Sequence, residues 1–151
     1  MKIKFLYSLI FSSLLLSSCY LLKISRDNTI IRNASLKKDK VFEAATIAVS
    51  LTYQSTQNRI IVSNILDSSI KNKLKAFGST VEVAYQTGAY YEIPDSCVTF
   101  TTMTLIGVTD IIYDFAVRQR NFEPSKNKRK DYYFTKVVDR IYYRRRPIPL
   151  M

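Results

Sequence analysis

A chain of 151 residues with 47% apolar content, three glycines and four prolines suits one modest folded domain and excludes a low-complexity or wholly disordered polymer. Its 23 basic residues outnumber 12 acidic ones, for a net charge of +11. Histidine is absent altogether, which removes the commonest general base near neutral pH, histidine-based triads and most zinc sites.

The N-terminus carries the most specific pattern. Lys2 and Lys4 make a short basic start, and Phe5 to Leu16 is an apolar run relieved only by Ser8, Ser12 and Ser13. The run ends on Leu16-Ser17-Ser18-Cys19. A basic start, a short apolar core and small residues before a cut form the layout of a secretory signal. With cysteine as the residue after the cut, the stretch closely resembles the lipobox of bacterial lipoprotein precursors. The resemblance covers these residues alone. It implies removal of residues 1–18, attachment of diacylglycerol and fatty acyl groups at Cys19, and no other cofactor. Two readings compete with it. A membrane-spanning helix needs about 20 predominantly apolar residues, and this run is shorter and broken by serines. An ordinary cleaved signal would accept Ser17-Ser18, but Cys19 at the cut argues against it. Tyr20 stands where inner-membrane retention in enteric bacteria would favour aspartate, so the resemblance points to the outer membrane, on its periplasmic face rather than the cell surface.

Charge along the remaining chain is uneven. Residues 20–117 carry ten basic and nine acidic residues, whereas residues 118–151 carry eleven and three. A nearly neutral body with a cationic last quarter marks a surface for anions or acidic partners. With Cys19 alkylated, Cys97 is the one remaining thiol, so the fold stands without an internal disulfide. A small apolar residue at a strand entrance is its plainest role.

In chain order, residues 19–40 read as the lipidated cysteine and a flexible tether, polar and without a sustained apolar period. The domain spans 41–143. Ile47, Val49, Leu51 and Tyr53 alternate with Thr46, Ala48, Ser50 and Thr52, which favours a strand, although Val41 to Ala45 could instead begin a helix. Val62, Ile65, Leu66, Ile70, Leu74 and Phe77 recur at three- and four-residue steps and predict an amphipathic helix over about 63–77. Ser63 is its candidate N-cap, and Gly78 its left-handed C-terminal cap.

Strand patterns follow over 80–87, 98–108 and 111–118, with a turn at Ile93-Pro94-Asp95-Ser96 and another at Thr109-Asp110. Pro124 and Lys126-Asn127-Lys128-Arg129-Lys130 form a loop, and Tyr132 to Tyr143 is strand-like again. Residues 144–151 close the chain as a basic tail in which Pro147 and Pro149 stop regular structure. The expected fold is α+β, with one amphipathic helix covering a mostly antiparallel sheet or small β-sandwich of about five strands.

No catalytic set emerges. Asp110 and Asp114 share a strand face but stand about 13 Å apart at that spacing, and read as solvated edge charges. Glycine-rich phosphate loops and calcium loops are missing. The functional-looking constellation is basic and aromatic: Lys126, Lys128, Arg129 and Lys130 in one cluster, Arg144, Arg145 and Arg146 in another, with Tyr142 and Tyr143 beside the second. Arginine forks match phosphate and carboxylate oxygens, and tyrosine tolerates a half-wet interface. The competing reading makes the tyrosines core and the charges solvated. The chain is therefore expected to be a lipid-anchored, non-enzymatic envelope protein, an accessory or docking subunit of a secretion, conjugation or outer-membrane assembly complex. A binding module for an anionic glycolipid or wall polymer, or a surface-displayed adhesin, are the alternatives. The same composition would suit single-stranded nucleic acid, but an export signal disfavours that partner.

Overall fold

The computed structural model describes residues 24–53, 59–84, 97–104, 107–115 and 133–148. The chain divides into two compact units, residues 1–33 and residues 34–151. In the first, the described residues are helical from 24 onward, and the Thr29 hydroxyl donates back to the Ser25 carbonyl at 2.9 Å. Residues 24–36, part of the 19–40 stretch expected as a tether, are thus helical and are labelled α1. Neither proline nor glycine interrupts residues 24–53, so polarity alone did not prevent helix formation.

A turn at Lys37 leads into α2 (Lys38–Tyr53). The strand expected over 46–53 is therefore helix. Its buried residues are Val41, Ala44, Ala45, Ala48 and Thr52, a stripe at helical spacing. These side chains are small, so the helix can lie close to its neighbours. The larger Ile47, Val49 and Leu51, whose alternation suggested a strand, are only half-buried.

Six strands are present among the described residues: β1 (Arg59–Ile61), β2 (Thr80–Ala84), β3 (Cys97–Thr104), β4 (Gly107–Asp114), β5 (Tyr133–Val138) and β6 (Ile141–Arg146). They form one antiparallel sheet in the order β1-β2-β3-β4-β6-β5. With helices on that sheet the fold is α+β, with one strand more than expected.

The helix expected over 63–77 is shorter. Val62–Asn64 is a single 3-10 turn, and the α-helix, α3, spans Ser68–Lys75 with only Leu74 fully buried. Asp67 caps it instead of Ser63, accepting from the Ser69 and Ile70 amides at 2.8 and 3.0 Å. Gly78 is needed for closeness rather than handedness. A Cβ there would lie 2.9 Å from both the backbone nitrogen and oxygen of Thr101.

Downstream strand boundaries also move. The expected turn at Thr109-Asp110 lies mid-strand in β4, which starts at Gly107 with φ +146°. That angle favours glycine. The strand expected over Tyr132–Tyr143 is two strands, folded back through Asp139-Arg140, where Arg140 takes φ +57°. β6 runs on through Arg146, so the expected basic tail begins inside the sheet.

One face of the sheet carries Val81, Val83, Phe100, Ile111, Tyr113, Ile141 and Tyr143. Here Phe42 of α2 meets Tyr113 with ring centroids 5.7 Å apart, and Phe77 meets Phe100 at 5.8 Å. The opposite face is also buried at one end, where Cys97, Ile112 and Tyr142 pack together with Phe134. Phe134 stacks on Tyr142 at 5.8 Å and 8°. Cys97 opens β3 as a buried residue, where the sequence pattern placed it. Among the described residues, no helix is long and apolar enough to cross a membrane.

Candidate functional site: a carboxylate between two arginines

Register places Thr101, Asp110 and Arg144 directly opposite one another on β3, β4 and β6. All three project onto the face that carries Cys97 and Tyr142, because side chains alternate along each strand. Two residues on, Arg146 reaches the same face. The two arginines and the threonine converge on Asp110, which is wholly buried. Arg144 donates through Nε to Asp110 Oδ2 at 2.7 Å, and its Nη2 lies 2.7 Å from the same oxygen. Arg146 donates through Nε to Oδ2 at 3.0 Å and through Nη2 to Oδ1 at 3.4 Å. The Thr101 hydroxyl completes the set, donating to Oδ1 at 2.8 Å.

The two guanidiniums differ in solvation. The Arg144 side chain is 6% exposed and the Arg146 side chain 38%. Arg144 is thus an interior ion-pair partner, whereas Arg146 bridges the interior and the surface. Asp110 is surrounded by donors on every lone-pair direction, so it acts as an acceptor hub rather than as a base with a free lone pair. What the arrangement does chemically is hold opposite charges together inside the sheet.

The sequence reading grouped Arg144, Arg145 and Arg146 as one surface cluster; the strand separates them. Arg144 and Arg146 share one face. Arg145 projects from the other, its guanidinium carbon 5.8 Å from the centre of the Tyr133 ring. Tyr142 and Tyr143 are wholly buried on opposite faces of β6, so neither presents its ring to a partner. Their burial follows from central strand position: β6 lies between β4 and β5. Lys126, Lys128, Arg129, Lys130 and Cys19 lie outside the described residues.

Asp110 and Asp114 were expected as solvated edge charges, yet both are buried. β4 is buried along nearly its whole length, at residues that alternate between its faces, so both of its faces are covered there. The available signal was a charge of each sign inside otherwise apolar strands: Asp110 among Val108, Ile111 and Ile112, and Arg144 after Ile141-Tyr142-Tyr143. Interior charges of opposite sign call for each other.

Tyr113 has its phenol pKa raised above the ordinary value. Burial is the main cause; Arg140 partly opposes it, while Asp139 and Asp114 add to it. Among the described residues, no group of three metal-ligating side chains comes together. Comparison of the chain with protein-family models, with curated proteins and with solved structures gives no match.

Proposed function

We propose that the chain is a lipid-anchored, non-enzymatic subunit of a bacterial envelope, held to the outer membrane through Cys19 and docked on a larger envelope assembly. The observation that carries this reading is the sequence Leu16-Ser17-Ser18-Cys19 after a basic start and a short apolar run. An anchor of this kind raises the local concentration of the domain near a membrane-bound partner, so a modest docking surface suffices. Support for docking comes from the cationic last quarter of the chain, with Lys126, Lys128, Arg129 and Lys130 as its densest run.

The test of the anchor is Cys19→Ser. The variant should leave the membrane fraction, and the N-terminal peptide of the unaltered chain should carry the mass of a diacylglycerol and fatty acyl group. A variant that stays membrane-bound with its size unchanged sinks the reading. Docking is tested by exchanging the four residues of the 126–130 run for alanine and scoring co-purification of the partner complex. Truncation at Tyr143 is a poorer test, because it removes the last three residues of β6 and both arginine partners of Asp110.

The basic run favours one second reading, an anionic glycolipid or wall polymer as ligand. That interaction should weaken steeply as ionic strength rises, whereas docking through apolar contacts should not.

A further inference from the structure

Two guanidiniums share one carboxylate in this domain. Beyond Asp110, neither Arg144 nor Arg146 has another ion pair among the described residues. Asp114, the other buried acid of β4, lies four residues along the strand, roughly 13 Å away. Counted over the described residues, the cluster therefore holds a surplus of about one positive charge, and its outlet to solvent is Arg146. A half-buried guanidinium that shares its one carboxylate with Arg144 keeps attraction for a second anion.

The surroundings of Arg146 are unusual for a charged surface. On its face, the row across the sheet reads Arg146, Val108, Met103, and the adjacent row reads Arg144, Asp110, Thr101, Thr80, Ile61. The far end of this face is buried around Cys97 and Tyr142. Here, by contrast, Met103 is 62% exposed and Ile61 50%. Met103, two strands from Arg146 along that row with the buried Val108 between them, is an exposed apolar side chain near the surplus guanidinium, whereas Ile61 lies on β1, four strands away.

We infer that this end of the sheet docks a short peptide segment of a partner protein bearing one carboxylate flanked by apolar side chains. The charge count selects a carboxylate. It carries a single negative charge, which matches the surplus, whereas a phosphate monoester carries about −1.5 to −2 near pH 7. Arginine grips carboxylates in a planar fork, and Met103 offers an adaptable apolar contact for side chains of varied shape. The inference gives a recognition chemistry to the docking reading above and rests on it for the source of the peptide.

The experiment uses the full chain in detergent, labelled with nitrogen-15 in arginine, and titrates N-acetyl-Leu-Glu-Leu-amide while following the arginine Nε–H resonances. The Arg146 resonance should shift and saturate. The Gln analogue should bind at least about tenfold more weakly, because it lacks the charge. Inorganic phosphate should bind more weakly than the Glu peptide. Arg146→Lys, which keeps the charge and loses the fork, should weaken the peptide severalfold, and Met103→Ser should do so by about fourfold. Met103 is exposed, so that second variant keeps its fold. No shift at Arg146, equal affinity for the Gln analogue, or tighter binding of phosphate overturns the inference. Release of Cys19→Ser from the membrane together with a silent titration sinks this inference and leaves the anchor reading standing; the converse pair of results does the opposite.

Discussion

Arg144 and Asp110, 34 residues apart in the chain, meet inside the sheet with Arg144 Nε and Nη2 each 2.7 Å from one carboxylate oxygen. Because they are direct register partners on β4 and β6, a slip of one residue would turn one of them to the opposite face. Thr101 extends the row onto β3. The pair thus specifies the alignment of three central strands, whatever its net worth in stability. Desolvation can consume most of what a buried ion pair gains.

Breaking the pair from one side should nevertheless be severe. Asp110→Asn leaves the Arg144 charge buried without its counter-ion, a change that costs about 3–5 kcal/mol. Urea unfolding should show it as a large fall in midpoint. The double variant Asp110→Leu with Arg144→Met should recover much of the loss, since it removes both charges and fills similar space. Arg146→Ala should cost less than about 1 kcal/mol, because its side chain is partly solvated. An Asp110→Asn midpoint equal to that of the unaltered chain would contradict this account.

Gly78 should be intolerant of the smallest side chain. A methyl there meets the Thr101 backbone at 2.9 Å, and backbone cannot swing aside as a side-chain tip can. The neighbouring Ser79 amide also donates to the Thr101 carbonyl at 2.9 Å, which pins the two segments together. Gly78→Ala is expected to lose about 1–3 kcal/mol, in the range of an overpacked core. If Gly78 were only a flexible link, Ala would be neutral or slightly stabilising; thermal unfolding distinguishes the two.

At the start of α3, Asp67→Ala should cost about 1 kcal/mol by leaving the Ser69 and Ile70 amides without their acceptor. Ser63→Ala, at the position the sequence pattern proposed as cap, should be nearly silent. The two variants measured side by side by chemical denaturation assign the cap directly.

These residues also show what a linear reading can and cannot see. Alternation located β2 and the second half of β4, because a period of two is written in adjacent residues. It failed for α2, where large side chains happen to alternate while alanines carry the helical stripe that is buried. Small residues give a weak periodic signal, although they permit close packing. Asp110 was visible only as an acid in an apolar context; its meaning depends on a partner 34 residues away. The arginine run looked like one patch, since adjacency in sequence becomes opposition across a strand. Gly78 read as a helix stop, when its constraint comes from β3, brought near only by folding.

Tyr113 makes a pH dependence on the alkaline side that can be traced to one group. Burial raises its phenol pKa above the ordinary 10.0, so the folded chain holds that proton more tightly than the unfolded chain does. Stability from this group is fully present below the unfolded pKa. It declines as pH rises from about 10, where the unfolded chain starts to lose the proton, through the raised folded value. The Phe42 ring packs against Tyr113 from α2, centroids 5.7 Å apart. Phe42→Ala should therefore return the Tyr113 titration toward its ordinary value, and Tyr113→Phe should flatten the loss of stability above pH 10. Difference absorbance titration of the phenolates, paired with urea midpoints between pH 9 and pH 11, measures both effects. A Tyr113 that titrates at or below the ordinary value, or an alkaline slope unchanged in Tyr113→Phe, would remove the link between this packing and pH.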